Sequence, residues 1–238
     1  MVVYERQREI LNYLNEKHFS TVKELAKVVW SSESSVRRDV KVLEQKGYVK
    51  QIYGGVVLSE YVNSVVPLDL RDSLHSAVKE SLSKRAAEYL FDGATVMMDG
   101  SSTVRRILKY AGKTHQLKVI TNNQLIFNEY NDSSHELYCT GGKFVPNSNV
   151  FVGSAAENYI RTVYADILFF SSQAISEDGE ISDVSEEETS LRKVMLTRAK
   201  KKIFLCDSSK VGLRKSFVLC TKDDVDVILC DAKLPWED

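Results

Sequence analysis

The chain has 238 residues and a mass of 27.0 kDa, with 32 Lys+Arg against 33 Asp+Glu and a net charge of −1. That length suits two domains, and 43% hydrophobic with 27% charged residues is a globular composition that excludes global disorder. The near-neutral balance excludes a uniformly basic nucleic-acid coat and a strongly acidic tail. The charge is uneven, however: residues 1–58 carry 10 Lys+Arg against 7 Asp+Glu, and the remainder carries 22 against 26. A small basic module on a larger acidic one points to a nucleic-acid-binding head.

Cys139, Cys206, Cys220 and Cys230 lie in strand-like contexts with no C-x-x-C spacing. They read as buried thiols of a reducing compartment rather than as disulfides or metal ligands. No apolar run approaches the about 18 residues of a membrane helix. Met-Val-Val-Tyr runs straight into Glu5–Glu9, without the basic and apolar regions of a signal peptide. A cytoplasmic protein is expected, with no membrane partner.

Three helical segments open the chain. Arg6–Glu16 places Ile10, Leu11 and Leu14 on one face. Thr21 and Glu24 form a capping box before Val22, Leu25, Ala26 and Val29. After the Trp30-Ser31 turn, Ser32 caps a third helix striped by Val36, Val40 and Leu43 and ended by Gly47. Two helices across so short a turn make a helix-turn-helix. Ser34, Ser35, Arg37, Arg38 and Lys41 lie off the apolar stripe, where hydroxyls and guanidinium groups can meet phosphates and guanine edges. Tyr48–Leu58 reads as a hairpin broken at Gly54-Gly55, a wing beside the third helix. Lys50, Gln51, Tyr53 and Gly54 complete the expected DNA surface, the partner being a double-stranded operator. The first domain is placed at 1–58 and a polar linker at 59–68.

A long leading helix is expected over 69–91, opening a second domain over 69–238. Its stripe is Leu70, Leu74, Val78, Leu82, Ala86 and Leu90, and Lys79 is a candidate for the ligand site. Beyond it, strand-like runs at 94–98, 117–121, 136–140, 166–170, 202–206 and 226–230 alternate with helical ones at 103–111, 123–130, 154–163 and 186–200. This alternation implies a doubly wound α/β domain with a largely parallel sheet. Such sheets bind ligands at the carboxyl ends of their strands.

Those ends are small, polar or charged: Asp99-Gly100-Ser101-Ser102-Thr103, Thr121-Asn122-Asn123, Gly141-Gly142-Lys143 and Asp207-Ser208-Ser209-Lys210. Together they point to a small anionic ligand, with hydroxyls and backbone amides after the first strand suited to a phosphate. Glu187 and Arg192 lie where a carboxylate and a cation can join them. His18, His75, His115 and His135 form no metal spacing, and no Gly-x-Ser-x-Gly, H-E-x-x-H or Gly-x-Gly-x-x-Gly motif is present. No cofactor and no catalytic residue is expected.

Three head segments, Arg6–Leu11, Ser32–Val40 with its Arg37-Arg38-Asp39, and Tyr53-Gly54-Gly55-Val56, resemble the head of the DeoR-type bacterial regulators of sugar operons. The likeness continues through 99–103, Thr121-Asn122, Gly141-Gly142, Val152-Gly153, 181–195 and 207–210. It implies a sensor similar in fold to ribose-5-phosphate isomerase and a repressor, dimeric or tetrameric, released by a phosphorylated sugar. It further implies Ser101, Ser102 and Thr103 around the phosphate, and hydroxyl recognition by Asn122, Gly141, Gly142, Glu187 and Lys210. The alternative is a sugar-phosphate isomerase or deaminase with an N-terminal extension. Family members commonly carry Gly at Trp30, Arg and His at Gln51 and Tyr53, and Lys at Arg192. Arginine stays charged and cannot serve as a base, which argues against residual isomerase chemistry.

Overall fold

The computed structural model describes residues 3–59, 71–72, 74–112, 116–131 and 134–237. The linker, apart from Ser59, lies outside them, as do the first residues of the expected leading helix and His115. Two units are resolved, Met1–Leu74 and His75–Asp238.

The head forms as its caps and stripes dictate. Helix α1 (Val3–Lys17) is followed by α2 (Val22–Val28) and α3 (Glu33–Gln45). Thr21 Oγ1 accepts the Glu24 amide at 3.2 Å while Glu24 accepts the Thr21 amide at 2.9 Å. Ser32 Oγ accepts the Ser35 amide at 3.3 Å and starts α3. Ile10, Leu14, Leu25, Val36, Val40 and Leu43 are buried with Val49, Val56, Leu58 and Leu74. The wing is strand β2 (Val49–Ile52) paired antiparallel with β3 (Gly55–Leu58). A two-residue strand β1 (Phe19–Ser20) adds to the far side of β3. It is too short to carry a period, so nothing in the sequence marked it.

Asp39 faces inward from α3, 3% exposed. Arg6 of α1 donates to one of its oxygens and Gln7 Nε2 to the other at 3.2 Å. This Asp thus ties α1 to the third helix from within.

The second unit is built on a six-stranded sheet. Its strands are β4 (Thr95–Met98), β5 (Lys118–Thr121), β6 (Glu136–Cys139), β9 (Ala165–Phe170), β12 (Ala199–Cys206) and β14 (Val227–Cys230). Their order is β14-β12-β9-β4-β5-β6 and every pairing is parallel. Side chains alternate between two cores, as a sheet covered on both faces requires. Val96, Met98, Ile167, Phe169, Ile203 and Leu205 face one core. Met97, Leu168, Phe170, Phe204 and Cys206 face the other, where the rings of Phe170 and Phe204 lie 5.1 Å apart. Helix α4 (Ser76–Ala87), the short α5 (Ser102–Arg105) continued by a 3-10 turn over Arg106–Tyr110, and α6 (Gln124–Tyr130) contribute Leu82, Ala86, Val104, Ile107 and Ile126 to the first core. Helices α7 (Ser154–Arg161) and α8 (Glu186–Thr197) contribute to the second.

The leading helix is shorter than expected. Among the described residues the helix runs over Ser76–Ala87, and His75 before it is left-handed at φ 52°, which separates it from the helical Arg71 and Asp72. Leu74 belongs to the core of the first unit, so the apolar stripe read as one helix serves two units. Two further elements have no counterpart in the expected order. One is a hairpin of β7 (Lys143–Val145) and β8 (Val150–Val152). The other is an antiparallel sheet of β10 (Ala174–Ile175), β11 (Glu180–Asp183) and β13 (Phe217–Thr221).

Replacing Asp39 by Ala strands the Arg6 guanidinium between α1 and α3. The expected loss is about 2 kcal/mol of head stability, less than for a wholly buried pair because Arg6 keeps an edge to solvent. Denaturant unfolding followed by far-UV circular dichroism measures it; an unchanged midpoint contradicts the tie.

Candidate functional site

In the head, α2, α3 and the wing enclose a groove of about 370 Å³ lined by Thr21, Val22, Lys23, Glu33, Arg37, Gln51, Ile52, Gly54 and Gly55. Arg37 is 65% exposed and stands 3.6 Å from Glu33, one helical turn earlier. Ser34 and Ser35 gather on the Ser32 hydroxyl at 2.9 and 3.0 Å, at the start of α3. Arg38 reaches Ser35 Oγ at 3.4 Å. Lys41 and Lys50 are exposed, and Tyr53 stands free at the tip of the wing beside Gly54. Trp30, 92% exposed in the turn, was not among the expected DNA contacts.

Gln51 is occupied. Its amide N–H donates to Glu44 Oε1 at 2.8 Å and its side chain to Glu44 Oε2 at 2.6 Å. The backbone bond holds the Glu44 carboxyl below its ordinary value. The wing is thereby clasped to the last turn of α3, a role that the sequence did not signal.

In the second unit the parallel sheet brings all six carboxyl ends to one edge. Asp99 follows β4, and its Oδ1 accepts the Ser101 amide at 3.0 Å. Its Oδ2 accepts the Ser171 amide after β9 at 3.2 Å and pairs with Arg192 Nε at 3.1 Å. Lys210, after β12, lies 3.3 Å from Ser171 Oγ and 3.4 Å from Asp207. One hydrogen-bonded path therefore joins Ser101, Asp99, Ser171, Lys210 and Asp207. Burial pushes the Asp207 carboxyl up, but the charges of Lys210 and Lys79 and the Ser209 hydroxyl outweigh it and hold it at about 2. Lys79 is 4% exposed on α4, near enough for its charge to favour the ionised Asp207.

Gly100 lies beneath the β7–β8 hairpin. A Cβ there would stand 2.1 Å from Val150 Cγ1, so only glycine lets the hairpin seat. Asn122, after β5, is 4% exposed and exchanges bonds with Phe151 of the hairpin: its O accepts at 2.8 Å and its Nδ2 donates at 3.0 Å. Its Oδ1 has no hydrogen-bond partner, nor do the buried Asn123 Nδ2 and Ser148 Oγ. Native interiors seldom leave such groups unmatched, and a bound molecule is one thing that matches them. Thr121 and Ser101 spend their hydroxyls locally, on the amides of Asn123 at 3.0 Å and Val104 at 3.2 Å. Ser102 and Thr103 are buried in the first turn of α5. Gly141 and Gly142 follow β6. Gly142 sits against the α7 entrance, where a Cβ would meet Val152 O at 2.5 Å. Lys143 and Glu187 meet each other in an exposed ion pair at 3.0 Å.

Arg192 differs most from expectation. It is 5% exposed and held by three carboxylates: Asp99 at 3.1 Å, Asp183 at 2.8 Å and Glu188 at 2.9 Å. Burial disfavours its charge, but the three acids more than compensate and raise its pKa. Asp183 is buried likewise, and the Arg192 charge brings its carboxyl below the ordinary value. The Glu188/Arg192 spacing was legible as an i, i+4 pair; the convergence of Asp99 and Asp183 on it was not. Among the described residues no group of three or more His, Cys, Asp or Glu is placed to hold a metal, and no helix is long and apolar enough to cross a membrane.

The family model described as the DeoR-like helix-turn-helix domain matches residues 6–62, and that described as the DeoR C terminal sensor domain matches 74–232. The chain belongs to the DeoR family. As a DeoR-family regulator it has relatives of nearly equal length. The HTH-type transcriptional regulator GolR of Listeria innocua is 28% identical, over 98% of this chain and 92% of that protein. GlpR of Haloferax volcanii is 24% identical over the same shares. A putative aga operon transcriptional repressor of Escherichia coli O157:H7 is 27% identical, over 97% and 87%. Among solved structures, eIF2B delta of Chaetomium thermophilum shares the fold, with TM-score 0.50 at 12% identity over 86% of this chain and 67% of that one. Ribose 5-phosphate isomerase A of Methanocaldococcus jannaschii aligns over 57% of this chain and 54% of that one, with TM-score 0.43 at 13% identity.

Replacing Arg192 by Met leaves three carboxylates around an apolar stem. At neutral pH the expected cost is about 3–5 kcal/mol. Asp183 lies low in the native fold, so its pairing stabilises above the ordinary carboxylate range and fades as pH falls. The gap between the two proteins should therefore narrow in acid. Thermal melts at neutral and acid pH check this; an equal gap at both refutes the cage.

Proposed function

We propose that this DeoR-family chain represses a carbohydrate-use operon and is released from its operator by a phosphorylated sugar. The observation that carries the reading is the unspent hydrogen-bonding capacity of Asn122 Oδ1 and Asn123 Nδ2 on the sheet edge that also holds Lys210. Polar groups that recognise hydroxyls, set along an edge with a cation that meets a phosphate, suit one small molecule bearing both. Lys210, Lys79 and the first turn of α5 at Ser102 and Thr103 take the phosphate end. Asn122, Gly141, Gly142, Lys143 and Glu187 take the hydroxyl end. Arg192 acts from behind, fixing Asp99 and hence the Ser101 and Ser171 loops. The E. coli aga relative is named a repressor, which supports the sign of control, although a Haemophilus influenzae relative, 26% identical, is named an L-fucose operon activator. The protein works in the cytoplasm as a homo-oligomer. A two-fold pair of heads spaces its recognition helices by about 34 Å or a multiple along DNA.

The head is the regulator's reader. Arg37 opens into the groove beside the wing, and Arg38 and Lys41 extend the basic face. Arg37→Ala and Arg38→Ala are each expected to weaken operator binding. A base-reading arginine loses about 1–3 kcal/mol and relaxes one operator position; a phosphate-binding one weakens all sequences and lowers the salt slope by about 1. Binding titrations over a series of salt concentrations and operator variants separate these. Full affinity in both variants refutes the placement.

Release requires the ligand to favour the arrangement that does not bind DNA. Ser102→Glu puts a larger, negative side chain where the phosphate is placed. It should keep the operator and no longer respond to any member of a sugar-phosphate panel that releases wild type. A normal response in this variant refutes the phosphate position, and a panel with no effect on wild type refutes the sugar-phosphate reading itself.

A further inference from the structure

Cys206 and Cys230 end two neighbouring parallel strands and are partners in register, Cys206 on β12 opposite Cys230 on β14. Register partners of a parallel pair point to the same face, here the one lined by Phe204 and Ile228. Neighbouring strands lie about 4.8 Å apart, inside the Cα separation a disulfide accepts. The two residues differ in access. Cys206 is 1% exposed, whereas Cys230 is half-buried at the open edge. Just beyond them the strand ends are already lashed together: Asp231 accepts the Ser208 amide at 2.6 Å and the Ser208 hydroxyl at 3.0 Å.

We propose that Cys206 and Cys230 form a redox-active dithiol that hydrogen peroxide or an organic hydroperoxide converts to an intramolecular disulfide at the carboxyl edge of the sheet. The division of labour follows from the surroundings. The Cys206 S–H donates to Asp207 O at 3.3 Å and the Cys230 S–H to Asp231 Oδ1 at 3.8 Å. The closeness of the two sulfurs brings the Cys230 thiol down to about 7, while the same closeness and burial push Cys206 well above the usual thiol range. Cys230 is thus the attacking thiolate and Cys206 the resolving thiol, the arrangement that gives a site-selective thiol.

In the first step the Cys230 sulfur attacks one peroxide oxygen. The O–O bond breaks, the distal oxygen leaves as hydroxide (or alkoxide) and takes up a proton, and Cys230 becomes a sulfenic acid. In the second, Cys206 gives up its proton and its sulfur attacks Cys230. The S–O bond breaks and hydroxide leaves with that proton as water. Two thiols lose two electrons and the peroxide gains them. The other thiols lack this pairing. Burial pushes Cys220 up to about 12, and Cys139 stands exposed on β6.

The oxidised bond sits directly before Asp207 and Asp231, so the loop carrying Lys210 starts from a covalent staple. The chemistry itself is independent of the ligand reading above, and so is its test. Reduced full-length protein is treated with a small excess of hydrogen peroxide, blocked with iodoacetamide, digested without reductant and mapped by mass spectrometry. The expected product is a peptide pair joined through Cys206 and Cys230, absent after reduction. In Cys206→Ser the resolving sulfur is gone, and dimedone should label Cys230 about tenfold more than Cys220. Recovery of Cys206 and Cys230 from wild type as separately alkylated peptides overturns the proposal, whatever happens at Cys139. The wild-type map needs no variant to fold.

Discussion

The Arg192 guanidinium is the fixed point of the sensor. It reaches Asp99 at the end of β4, Asp183 at the end of β11 and Glu188 on its own helix, all within 3.1 Å. The rest of the strand-end edge hangs on those acids. Asp99 orders the Ser101 turn and the Ser171 turn at once. Asp183 accepts the amides of Val184 and Ser185 and so shapes the entry to α8. A charge this deep is tolerable only because every carboxylate around it is paired, and removing one member exposes the desolvation cost of the others. The cluster therefore favours one arrangement of three loops more than it adds to net stability.

The hydrophobic pattern carried most of the architecture. All six sheet strands were legible, because runs such as Asp166–Phe170 and Lys202–Cys206 are apolar on both sides, as buried parallel strands must be. Head helices were legible through Thr21, Glu24 and Ser32, whose caps are local chemistry. What the sequence hid was hidden by shortness or by distance along the chain. β1, β10, β7 and β8 are two or three residues long, too short to carry a period, while β11 and β13 are longer and pair with each other across more than thirty residues of chain. The leading helix failed because periodicity reports that Leu74 is buried but not in which core.

The candidate site was legible in the sequence as residues sharing one sheet edge, not as the contacts they make. Parallel topology guaranteed that Ser101, Asn122, Gly141 and Lys210 would share one edge. It could not say that Arg192 faces acids, that Lys143 meets Glu187, or that Gln51 is held by Glu44. Those outcomes depend on side chains from elements far apart in sequence, such as Asp99 and Arg192. Asn122 was singled out for its place after β5; the structure adds the Phe151 contacts that bury it while leaving one oxygen unmatched.

The clasp between Glu44 and Gln51 bears on how the head pays out entropy. A wing free to swing would have to be ordered on the duplex, at a cost in rotamer and loop freedom for each encounter. Two hydrogen bonds from Gln51 to one carboxylate set the wing against the last turn of α3 beforehand. If the head reads DNA as proposed, the duplex meets a fork shaped beforehand, helix on one side and hairpin on the other. On that reading, discrimination includes fit to the fork, so an operator whose groove width departs from it must itself deform.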